Sequence, residues 1–347
     1  MNHLLDPAIL FFVLGLAAGL LRSNLEVPAP LSRFLSLYLL MALGLKGGFA
    51  LAQSGWTAQV SAAMGCALVL ALAVPAIAWV VLRRLLPPFD AAAVAATYGS
   101  VSAVTFVTAA HLLEQQGTPA GGYMAAAMAL MESPAIVLAV VMAQWLRQPA
   151  TASATSFAAL PAGGQAVLAS AGGAHAPTGG GQRLGTVLRE ALTDGGAVLL
   201  LGALLVGIIT GERGEAAMHP FTVDLFKGLL AFFLLDMGLL TARNLAGLGG
   251  LGAQRLPLAL FAVVGPVVHG LLALALARIA GLAVPEATLL AVLGASASYI
   301  AVPAVLRHAM PEARPALYVG LSLGITFPFN LVLGIPLYGA LAQWWLG

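Results

Sequence analysis

The chain has 347 residues, 61% of them hydrophobic and 8% charged, and its formal net charge is +2. A mean hydropathy of +0.98 excludes a soluble packed core and leaves a polytopic membrane protein as the class. The few Lys and Arg residues form no basic run interleaved with aromatics, so nothing in the charge pattern fits nucleic acid. The N-terminus, Met1 to Asp6, lacks the positive region of a cleavable signal, so the apolar run over 6–21 reads as a retained first span. Apolar stretches bounded by charge, Pro and Gly predict further spans near 34–52, 59–82, 90–111, 119–146, 187–210, 221–242, 256–280, 286–308 and 315–345. Cys66, the single cysteine, lies in the third of these and reads as a packing thiol.

Between the fifth and sixth spans, residues 148–186 are rich in Ala, Gly, Ser, Thr, Gln and Pro, with Arg183 the only charge. Such a segment buries too little apolar surface to fold alone and reads as a flexible cytoplasmic linker. It divides the chain into a first five-helix repeat, 1–147, and a second, 187–347. The halves carry the same order of features. Leu43-Gly44-Leu45 matches Met237-Gly238-Leu239, and Pro134 matches Pro328, both at an offset of 194. Five spans per half is an odd number, so the second copy would enter the membrane from the opposite side. The expected fold is therefore all-α, with about ten transmembrane helices in a 5+5 inverted repeat. The Lys and Arg residues assign 11 positions to one side and 4 to the other, which predicts both termini outside the cell membrane and the linker inside.

Two of the ten spans read as broken. Gly294-Ala-Ser-Ala-Ser-Tyr-Ile-Ala-Val-Pro303 interrupts the ninth with small residues, two hydroxyls and a proline, and Gly99-Ser-Val-Ser-Ala-Val-Thr105 interrupts the fourth in the same way. A break at mid-membrane presents N–H groups at the start of the second half-helix, which suit an anion, and C=O groups at the end of the first, which suit a cation. Pro303 would stand near the first position of the downstream half-helix, with Ser298 as a cap or anion-binding hydroxyl and Ser102 or Thr105 as its counterpart. The anion site then comprises Ser102, Ala103, Thr105, Ser298, Tyr299 and Ile300. Singly, such serines also serve to pack helices together; their duplication favours binding. Glu132, deep in the fifth span, is either a coupling-ion ligand or half of an ion pair with Lys or Arg. Ser100, Ser296 and Thr326 would complete a cation site around it. Asp236 is a second intramembrane acid, and Lys46 in the matching span of the other half could pair with it. His111 and His308 end the broken segments, where snorkelling to the interface is the expectation.

In order and spacing, Leu43-Gly-Leu-Lys-Gly-Gly48, Gly99-Ser-Val-Ser102, Met131-Glu-Ser-Pro134, Leu225-Phe-Lys-Gly-Leu-Leu230, Pro266-Val-Val-His-Gly270, Ala295-Ser-Ala-Ser298 and Ile335-Pro-Leu-Tyr-Gly339 resemble the sodium-dependent bicarbonate transporters of cyanobacteria and their bacterial relatives. The resemblance implies gate and core subdomains, a homotrimer, bicarbonate between the broken helices with Na⁺ beside it as coupling ion, and a PII-like regulator on the cytoplasmic face. It departs from the family pattern where Tyr299 takes the position of an acid and where Glu132 replaces Asp. The alternatives are a cation/proton antiporter or organic-anion symporter of similar architecture, or a sensor that binds without moving its ligand. An intramembrane enzyme is disfavoured, since Asp236 lacks a Gly-x-Gly-Asp context and neither His-Glu-x-x-His nor Gly-x-Ser-x-Gly occurs. No organic cofactor or transition metal is expected.

Overall fold

A computed structural model describes residues 6–147, 195–247 and 254–347; the predicted linker and the start of the predicted sixth span lie outside the described residues. Within them every regular element is helical. The helices are α1 (Pro7–Leu20), α2 (Ala29–Ser54), α3 (Ala58–Leu82), α4 (Pro88–Gly99), α5 (Ala103–Gln115), α6 (Met124–Arg147), α7 (Gly195–His219), α8 (Leu225–Gly247), α9 (Arg255–Ile279), α10 (Val284–Ala295), α11 (Ala301–Ala309) and α12 (Pro315–Leu346).

Many of these helices begin where a proline sits in the first turn, as at Pro7, Pro30, Pro88, Pro285 and Pro315, where no hydrogen-bond donor is lost. Asp6 caps α1 by accepting from the Ala8 N–H at 2.8 Å, and Thr57 caps α3 by accepting from Val60 at 3.3 Å. Among the described residues, seven helical stretches are long and apolar enough to cross a bilayer. The longest, Val198–Leu245, has 48 residues. At the α-helical rise it would measure about 70 Å, roughly twice a bilayer core. Gly211, at φ 52°, interrupts it with a backbone conformation that glycine adopts without steric cost. Leu68, Val69 and Leu72 on α3 and Leu201 and Leu205 on α7 are exposed, as apolar residues facing lipid would be.

Packing divides the helices into two groups. In one, α2 lies along α7 and α1 along α8; in the other, α3, α4 and α6 pack together with α9, α10 and α12. Glycines set the close approach in the first group. A Cβ on Gly44 would stand 2.5 Å from the Leu200 carbonyl oxygen, and one on Gly238 would meet the Phe12 carbonyl and stand 2.6 Å from the Leu16 nitrogen. Each of the paired glycines therefore lets its helix touch the backbone of its neighbour.

Lys46 and Asp236, which the repeat would allow to pair, do not. Lys46 on α2 instead binds both carboxylate oxygens of Glu114 at 3.0 Å, while Asp236 on α8 accepts from the Ser32 hydroxyl. Ser32, near the start of α2, reaches Asp236, whereas Lys46 lies more than three turns further along the same helix. His111 is buried and bonds to Gln115 at 2.9 Å, so it does not snorkel; the His308 side chain lies outside the described residues.

Candidate functional site: two interrupted helices at the base of a cavity

Both predicted breaks are present. The first separates α4 from α5 at Ser100–Ser102, with Ser100 and Ser102 in extended conformation, and the second separates α10 from α11 at 296–300, where Ser296 is extended. Packing helps define the first break: a Cβ on Gly99 would stand 2.7 Å from the Pro75 ring of α3. Pro303 is the third residue of α11 and not the first, because the helix begins at Ala301. Its missing N–H still falls among the donors that a first turn leaves unpaired.

The two breaks bond to one another. The Ser102 N–H donates to Ser296 Oγ at 3.0 Å, and the Ser298 N–H donates to the Thr97 carbonyl at 2.8 Å. Ser296 Oγ in turn donates to the Leu293 carbonyl at 2.9 Å. A serine oxygen meets the first turn of each downstream half-helix: Ser102, the N-cap of α5, accepts from the Thr105 N–H at 3.2 Å, and Ser298, two residues before the N-cap Ile300 of α11, accepts from the Val302 N–H at 3.3 Å. The Thr105 hydroxyl also donates to Ser102 Oγ at 2.9 Å, and Ser102 Oγ lies 3.4 Å from the Tyr299 hydroxyl. The Tyr299 ring packs edge-on against Phe327, centroids 5.3 Å apart, and Phe327 packs edge-on against Phe12 of α1 at 5.4 Å.

A cavity of about 390 Å³ reaches this crossing. Val101 to Val104 line it from one break and Ser298 to Ala301 from the other, with Glu132 of α6, Gly195 of α7 and a stripe of α2 completing the wall. Of the residues expected to bind an anion, Ser102, Ala103, Ser298, Tyr299 and Ile300 line the cavity, and Thr105 touches it through Ser102. Among those expected to bind a cation, only Glu132 faces the cavity. Ser100 and Ser296 are buried in the crossing, and Ser100 Oγ has no hydrogen-bond partner among the described residues. Thr326 lies elsewhere, donating to the Ala262 carbonyl at 2.7 Å and sharing a 2.6 Å bond with the Tyr98 hydroxyl. No cluster of His, Cys, Asp and Glu able to hold a metal occurs among the described residues.

Two residues of the cavity wall, Arg33 and Ser36, were not singled out in the sequence as binding residues. Arg33 and Ser36 line the cavity because α2 begins at Ala29, about a turn earlier than predicted, which moves Arg33 from a loop into the helix. Asn330 donates to the Ala295 carbonyl at 2.7 Å, capping the end of α10, and is itself held by the Tyr338 hydroxyl at 3.1 Å. It stands where α12 widens into two π-helical turns, 320–326 and 330–334, around Pro328, and such turns leave little trace in a sequence.

Long apolar helices, two of them interrupted and crossed at a cavity, define a multi-pass membrane protein of the transporter class. The model of the Na⁺-dependent bicarbonate transporter superfamily matches residues 7–343, and the chain belongs to that family. A search of curated proteins finds no match.

Proposed function

We propose that this protein is a secondary active transporter that moves bicarbonate, or another small anion, inward with Na⁺ as coupling ion. The observation that carries this reading is the crossing itself: two half-helix N-termini, each met by a serine oxygen, open onto one cavity with an intramembrane carboxylate in its wall. Ser102 and Ser298, with the amides of Ala103, Tyr299 and Ile300, would hold the anion, and Thr105 would orient Ser102. Glu132, with Ser100 and Ser296, would hold Na⁺; the unpartnered Ser100 oxygen is an acceptor that a cation could use. Thr326 would act through its bond to Tyr98 rather than as a direct ligand.

Ten spans in two inverted repeats, 1–147 and 187–347, fit the reciprocal packing of α1 on α8 and of α7 on α2, with Gly238 and Gly44 in equivalent contacts. Alternating access fits the distribution of contacts along α2. Arg33, at one end, borders the open cavity. Lys46, about 20 Å further along the helix, is bonded to Glu114, and close by Asp6 accepts from Gln115 at 2.9 Å. With the termini outside, this is an inward-facing state with its outer side latched. By resemblance, the protein would work as a homotrimer in the inner (plasma) membrane, with a PII-like regulator on the cytoplasmic face.

Uptake of labelled bicarbonate into proteoliposomes, with and without an inward Na⁺ gradient at fixed pH, tests the proposal. Uptake that requires the gradient is expected. Equal uptake in both conditions removes Na⁺ coupling, and no uptake by folded protein removes bicarbonate.

A further inference from the structure

We propose that Arg33 selects for negatively charged solutes at the mouth of the cavity, as a specificity-determining residue of the transport route. The face of α2 turned to the cavity carries Arg33, Ser36, Leu37 and Leu40, spaced i, i+3, i+4 and i+7. Arg33 is the outermost of the four and is exposed. Together with Leu37 it also lines a second depression of about 490 Å³ bounded by Ala29, Pro30 and Phe34, so it borders both spaces.

Its position sets it apart from the other arginines among the described residues. Arg147 is committed to Glu312, Arg314 to Asp90 and Arg278 to the Trp345 carbonyl. The Arg33 guanidinium, like those of several other arginines, has no ion pair or hydrogen bond among the described residues, but Arg33 is the arginine that lines the cavity. An arginine in a spanning helix is tolerated where it faces a wet cavity, and its planar fork matches an anion presenting two coplanar oxygens. Glu132 is the other charged group on the cavity wall among the described residues, and it is half-buried on a different helix, α6. The two charges thus belong to different walls, with the positive one at the opening.

This inference rests on the cavity being a solute route, not on the identity of the anion. A cysteine placed by Ser36→Cys, one turn deeper than Arg33, reports the local potential once Cys66, the only native thiol and a buried one, is removed by Cys66→Ala. Reaction rates with thiosulfonate reagents of one negative and one positive charge are measured in nanodiscs of zwitterionic lipid. Adding Arg33→Gln is expected to lower the anionic-to-cationic rate ratio about tenfold, while Arg33→Lys changes it less than about threefold. A ratio indifferent to Arg33→Gln, or a Ser36→Cys thiol that neither reagent reaches, overturns the proposal. The measurement is repeated with anionic phospholipid, where the ratio should persist; collapse to the Arg33→Gln value assigns Arg33 to a lipid headgroup and also overturns it. If bicarbonate uptake fails while the ratio still depends on Arg33, the substrate reading falls and the role of Arg33 stands.

Discussion

Ser102 and Ser298 each bond the first turn of a half-helix while facing the cavity, so their hydroxyls divide between structure and ligand. Replacing Ser298 by Ala removes one hydroxyl, worth about 0.5–1.5 kcal/mol, and should raise the KM for the anion about two- to tenfold, as read from uptake kinetics. Glu132→Gln keeps the shape of the side chain and removes its charge, so Na⁺ stimulation of uptake should disappear while folding, read by size-exclusion profile, is retained. Undiminished stimulation would exclude Glu132 as the coupling ligand. These positions were legible because serine, glycine and an intramembrane acid are costly in an apolar helix unless they do something. Arg33 was not, since a charge three residues after Pro30, ahead of the apolar run that opens at Phe34, reads as a loop until the start of α2 is known.

Among the elements, the α1–α8 and α2–α7 contacts depend on backbones that touch. Gly238→Ala forces a methyl onto the backbone of α1 and should cost about 1–3 kcal/mol, lowering the melting temperature in detergent. Gly65→Ala is the matching control: it lies exposed on α3 with nothing within 4 Å of a new Cβ, and should be neutral or stabilise by about 0.5–1 kcal/mol. Both breaks were legible to within a few residues, from Ser100–Ser102 and from Ser296 onward. The partner of Lys46 was not. Pairing it with Asp236 assumed that matched spans meet charge to charge, but α2 presents Ser32 to Asp236 and turns Lys46 toward the end of α5. Such a choice depends on helix rotation and stagger, which apolar periodicity fixes only coarsely. The widened turns of α12 were equally hidden, although Pro328, the residue they surround, was noticed.

At the scale of the whole molecule, the cavity opens at one end while polar bonds fasten the other. Lys46→Met removes the bond to Glu114 and should shift the population toward the opposite-facing state, raising labelling of a cysteine placed at Ala120 in the Cys66→Ala background. Labelling that stays at the level of the unsubstituted Lys46 protein would mean that the pair does not hold that end closed. The bonds between the breaks, Ser102 to Ser296 and Ser298 to Thr97, have a separate consequence. Because they tie the two interrupted helices to each other, neither can slide alone, and any change of facing carries Glu132's neighbours on both breaks together. If Glu132 travels with them while ionised, the protein shifts charge through the membrane's electric field, at about 2.3 kcal/mol per elementary charge for each 100 mV crossed. A bound Na⁺ alone would cancel that displacement, but a carrier holding both Na⁺ and a monovalent anion keeps one net negative charge, so the resting voltage of the cell would act on the empty and the fully loaded carrier alike and spare only the form with cation alone.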